Sequence, residues 1–220
     1  MSVEASRRRL VWWLVLVIGV AALESAANLA GGAPDRNVLY RYSTAVGSAV
    51  VYAVLLLIVL AIAGWRIDLL ALRRPSSWLR ALGLAVLVFI AAEIAIQVME
   101  PLLHGGREQG LVPKRWEPHH AAAYAANWLV VAGVAPLVEE LTYRGLGFSL
   151  LERYGKWLAI VATGLLFAAA HGLVQAFPEF AALGCGLAWL RSRTASVYPG
   201  IVLHSAFNSI ALAVIFFHTQ

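Results

Sequence analysis

Residues 121–150 read A-A-A-Y-A-A-N-W-L-V-V-A-G-V-A-P-L-V-E-E-L-T-Y-R-G-L-G-F-S-L. A helix needs about 20 mainly apolar residues to cross a hydrocarbon core, so this run is long enough to span a membrane and to tilt or project from it. Its Pro136–Gly147 portion holds Glu139, Glu140 and Arg144. A charge at the bilayer centre costs at least about 2.5–3.5 kcal/mol on insertion scales, so intramembrane ionisable residues mark a functional site by default.

Composition extends this reading to the whole chain. Of 220 residues, 61% are hydrophobic and 13% are charged, and the mean hydropathy is +0.76. A soluble domain usually carries about a quarter charged residues and under half apolar ones. Repeated apolar runs predict an all-α, polytopic transmembrane bundle of about seven spans (7–8 helices), forming a single membrane domain over 1–220. The net charge of +5 sits at the ends of apolar runs. That fits topology signals and lipid headgroups, with the bilayer rather than nucleic acid as partner. The single Cys185 rules out an intramolecular disulfide, and its G-C-G setting predicts helix packing.

The first span is expected over Leu10–Ala30, too long for a signal-peptide core and so uncleaved. The second covers Ser43–Ala63, and Arg66–Arg80 reads as a connector or interfacial helix. The third covers Ala81–Met99. Residues 100–120 read as a loop, with Pro101, Pro113, Pro118, Gly105 and Gly106. His104, His119 and His120 read there as exposed histidines rather than a metal tract. The fourth span is Ala121–Leu150, the fifth Trp157–His171, the sixth Pro178–Leu190 and the seventh Pro199–Phe217. With the N-terminus cytoplasmic, inner segments hold Arg7, Arg8, Arg9, Arg66, Arg73, Arg74, Arg80, Arg153, Lys156, Arg191 and Arg193. Outer ones hold Arg36, Arg41, Arg107, Lys114 and Arg115. This bias of about two to one places the C-terminus outside.

The polar residues of the spans divide by spacing. Glu140 and Arg144 are at i,i+4, where a carboxylate can pair with a guanidinium. Glu139 points about 100° away and is left over, placed to act as a general base. Pro136 removes a helix hydrogen bond just before the motif, while Gly145 and Gly147 permit close approach by a neighbour. His204 and Asn208 share one face and can donate to one oxygen, as an oxyanion hole does. His171 can hold or polarise a water beside Glu139. At ~1.5 Å per residue from the basic ends, Glu139 lies ~16 Å deep, His171 ~21 Å and His204 ~8 Å. The set suits peptide-bond hydrolysis without a covalent intermediate. Glu24 with Asn28 and Glu93 with Gln97, again at i,i+4, read first as interhelical hydrogen-bonding pairs.

Three blocks, E-E-L-T-Y-R-G (Glu139–Gly145), F-A-A-A-H (Phe167–His171) and H-S-A-F-N (His204–Asn208), resemble in order and spacing the CPBP, or Abi, group of intramembrane glutamate proteases, which includes the CAAX-processing enzyme Rce1. R-T-A-S-V-Y-P-G-I-V-L-H resembles the lead-in to the last motif. The resemblance covers a catalytic core of about 121–217. It implies Glu139 as the base activating water with His171, His204 and Asn208 as oxyanion hole, and Glu140 and Arg144 as supporting residues. It implies a conical cavity open to the cytoplasmic side and to lipid, no cofactor and no metal, and a membrane-associated peptide or protein substrate. A metal-dependent variant is the alternative mechanism. A non-proteolytic scaffold or bacteriocin-immunity-type protein is the alternative function, and a small proton-relaying transporter is a third. The alanine- and arginine-rich usage is compatible with a bacterial inner membrane.

Overall fold

The computed structural model describes residues 3–31, 35, 37–64, 66–105, 108, 113 and 115–217. Arg36, Arg107 and Lys114 of the outer basic set, and Gly106 of the loop, lie outside the described residues. Among the described residues there are seven main helices and no strand. They are α1 (Val3–Ala30), α2 (Tyr42–Ala63), α3 (Trp78–Leu103), a long composite α4 (Pro118–Tyr154), α5 (Lys156–Ala169), α6 (Phe177–Thr194) and α7 (Tyr198–Ala213). Five of them (α1 to α4 and α7) are long and apolar enough to cross a membrane. The remaining two differ in cause: α5 has only 14 residues, and α6 carries Glu179, Arg191 and Arg193.

Outward faces fit lipid. On α2, Val46, Val50 and Val54 are exposed at four-residue intervals, and on α3 Leu82, Val86, Ile90, Ile94 and Val98 follow the same period. An apolar face of that extent is not tolerated in water. The chain is thus a multi-pass membrane protein, and its topology positions α4 in the middle. Within their apolar windows, α1, α2 and α3 bury only 11%, 11% and 17% of residues, whereas α4 buries 44%.

Helix α4 is not regular. Two π-helical turns, Val130–Val134 and Leu141–Gly147, flank the α-helical Ala135–Glu140 segment that holds the glutamates. Pro136 lacks an N–H and its ring collides with the carbonyl four residues back, and the widened turn just before it relieves that conflict. Such turns gather at functional sites. The second π turn is packed without room for side chains. A Cβ on Gly145 would come 2.9 Å from the Leu70 carbonyl oxygen, and one on Gly147 would overlap the Trp13 indole. The Trp13 indole N–H donates to the Thr142 carbonyl at 2.9 Å, joining α1 to the turn.

Of the two readings of the stretch before α3, a connector or an interfacial helix, the structure shows the connector. Ile67–Leu70 form one 3₁₀ turn that ends at Ala71 in the left-handed region (φ 52°). Pro75 then bars a helix, and Ser77 caps α3 by accepting from the Arg80 N–H. Leu69, Leu70 and Ala71 are buried against α4 instead of lying on the membrane surface. The segment is clasped from the far side, where Val197 N–H donates to Ala71 O and Arg73 to Ala195 O. At the other end α3 runs through Pro101 to Leu103, beyond the expected boundary. His104, His119 and His120 are exposed. Helices α5 and α6 form a hairpin around Gly164 and Gly184, where a Cβ on Gly164 would meet Cys185 and one on Gly184 the Gly164 carbonyl. Cys185 is therefore a packing residue.

Candidate active site

The expected pair is present. Arg144 Nη1 lies 3.0 Å from Glu140 Oε1, both side chains are fully buried, and Arg144 Nη2 donates to the Gly184 carbonyl at 2.8 Å. The guanidinium also stands over the Phe167 ring, 4.4 Å from its centroid, a cation–π contact strengthened by desolvation. Glu140 fits because position 200 is glycine: a Cβ there would come 2.7 Å from Oε2. Among the described residues, Glu140 Oε2 and Arg144 Nε are buried with no hydrogen-bond partner. A buried pair must offset a desolvation penalty of several kcal/mol per ion, so these contacts are what makes the motif tolerable in the bundle.

Glu139 takes no part in that bridge. Its side chain remains 13% exposed, and Oε1 accepts a 2.6 Å hydrogen bond from the Tyr52 hydroxyl of α2. Its other oxygen lies 3.7 Å from His204 Nε2. His204 Nδ1 is 3.3 Å from Glu140 Oε1. With Glu140 ionised against Arg144, that contact requires the proton on Nδ1. His204 therefore bridges the two glutamates from α7, with Phe167 packed edge-on against its ring.

His171 closes α5. Its Nδ1 is 2.9 Å from the Phe167 carbonyl. A carbonyl only accepts, so Nδ1 is the donor and Nε2 keeps its lone pair. The ring is stacked on Phe180 at 4.0 Å and lies within electrostatic range of Glu139, His204 and Arg144. Asn208, one turn beyond His204, donates its amide to the Val131 carbonyl in the first π turn at 2.9 Å. The shared face of His204 and Asn208 thus meets α4 at two levels. Asn28 donates to the Gly172 carbonyl, the interhelical bond expected of it, and this fixes α1 beside the turn that follows His171.

Two residues were not singled out from the sequence. Tyr52 was visible only as one hydroxyl in the apolar run V-V-Y-A-V. Arg191 counts in the sequence only as one of the inner basic residues. It is instead buried, donates to the Arg144 backbone carbonyl at 3.1 Å and stacks over Phe148. Among the described residues no group of three His, Cys, Asp or Glu side chains stands in a metal-holding arrangement.

Fold and site together define a polytopic helical membrane protein with a buried carboxylate–imidazole cluster on its central helix. Residues 121–210 match the family model described as Rce1-like, Type II CAAX prenyl endopeptidase Rce1-like, so this part of the chain is similar to that family. The match takes in Glu139, Glu140, Arg144, His171, His204 and Asn208. No curated protein and no solved structure matches the chain.

Proposed function

We propose that the protein is an intramembrane endopeptidase that hydrolyses a peptide bond of a membrane-associated protein or peptide, with 1–220 acting as one membrane domain, as in a bacterial inner membrane. Glu139 takes a proton from water, and the resulting hydroxide attacks the scissile carbonyl carbon. His171, with its free Nε2, holds that water. His204, anchored to Glu140 through Nδ1, stabilises the oxyanion. Asn208 adds its second amide hydrogen. Collapse of the tetrahedral intermediate breaks the C–N bond, and Glu139 returns its proton to the leaving amine. Glu140, Arg144 and Gly200 hold the geometry.

One observation carries this reading. Of two adjacent glutamates, Glu140 is sealed into an ion pair, while Glu139 remains partly exposed and next to an imidazole. The matched family supplies the reaction class. The test is a proteoliposome assay with a panel of membrane-tethered peptides, prenylated and unprenylated, read by mass spectrometry of released fragments. The proposal expects cleavage of at least one peptide at a rate unaffected by a strong chelator. Inhibition reversed by zinc would move the mechanism to the metal-dependent alternative. A folded protein that cuts none of the panel would favour a scaffold or immunity role.

A further inference from the structure

Tyr52 is the eleventh residue of the 22-residue α2, about 15 Å from either end at 1.5 Å per residue. Tyrosine in spanning helices concentrates at the membrane interfaces, and a buried phenol needs a partner. Here the partner is Glu139. The 2.6 Å contact to Oε1 falls in the range of a charge-assisted O–H···O⁻ bond. The other oxygen, Oε2, is the one nearest His204 Nε2. The two carboxylate oxygens are thereby differentiated: one is held by α2, and the other faces the imidazole on α7.

We propose that Tyr52 is a positioning residue for the hydrolysis, fixing the Glu139 carboxylate so that Oε2 is the oxygen that receives the proton from water. The inference rests on Glu139 being the base. It also places part of the working site outside the matched residues 121–210, because α2 becomes a component of the site and not only an anchor in lipid.

The test is Tyr52→Phe, which keeps the ring and its packing and deletes only the hydroxyl. Its readouts are kcat and KM in proteoliposomes and the infrared carboxylate stretch of Glu139, assigned by its absence in Glu139→Gln. The expected result is a fall in kcat of about tenfold to a hundredfold, the worth of one hydrogen bond to a charged group, with KM unchanged and the band shifted. A bond to Glu139 without a part in the hydrolysis would shift the band and leave kcat at the wild-type value. An unshifted band, or a shifted band with wild-type kcat, overturns the proposal. Activity surviving in Glu139→Gln overturns the base assignment and this inference with it, whereas a dead Glu139→Gln beside a wild-type Tyr52→Phe sinks only the latter. Should Tyr52→Phe not fold, 3-fluorotyrosine at position 52 retains the shape, strengthens the donor and must move the same band.

Discussion

Replacing Arg144 by methionine isolates the energetics of the buried motif. The substitution keeps an extended apolar side chain but removes the 3.0 Å bridge to Glu140 and the 2.8 Å bond to Gly184. Glu140, fully buried, is then left with His204 Nδ1 as its nearest polar group. Breaking a buried pair by removing one partner costs about 3–5 kcal/mol. A loss of that size is a large fraction of a typical stability of about 5–15 kcal/mol. The double change Glu140→Gln with Arg144→Met strands no charge, so it should recover about 2 kcal/mol or more of that loss. Reversible unfolding in mixed micelles, followed by circular dichroism, measures both. An Arg144→Met protein within about 1 kcal/mol of wild type would refute the view that the pair is dry and mutually dependent.

Three further outcomes follow from other contacts. Gly147→Ala drives a methyl into the Trp13 indole and should cost about 1–3 kcal/mol. Combined with Trp13→Phe it should be less than additive in the same unfolding assay. Arg191→Met removes the bond to the Arg144 carbonyl and the stacking over Phe148 and should destabilise by about 1–3 kcal/mol. Outside the spans, the Arg66 guanidinium hydrogen-bonds Asp68 and holds its carboxyl below the usual carboxylate range. That contribution is present at neutral pH and fades as pH falls through the lowered range. An NMR titration of Asp68 should show the depressed midpoint, and high salt should move it back up.

What the sequence disclosed was local. The seven expected spans appear as seven main helices among the described residues, but only five are long and apolar enough to cross a membrane, because a spanning segment needs both length and apolarity. The Glu140–Arg144 pair was legible because i,i+4 is a property of one helix. Gly145 and Gly147 announced close approach, but not that the Leu70 backbone and the Trp13 ring would be what approaches. Tyr52 meets a partner 87 positions away and Trp13 one 129 positions away, and no periodicity encodes such a meeting. The 66–80 segment stayed open between a connector and an interfacial helix because its leucines and Trp78 fit either. Pro75 and the left-handed Ala71 turn it inward as a plug beneath α4.

The account depends above all on Glu139 being the carboxylate that performs chemistry. The most direct measurement is turnover of a membrane-tethered peptide by purified Glu139→Gln in proteoliposomes, with folding checked by its unfolding transition. Glutamine keeps the size and can still accept from Tyr52, but it cannot take a proton from water. The account predicts a folded protein whose kcat falls by a factor of about 10² or more, the typical worth of a general base. Cleavage at the wild-type rate by folded Glu139→Gln would contradict it.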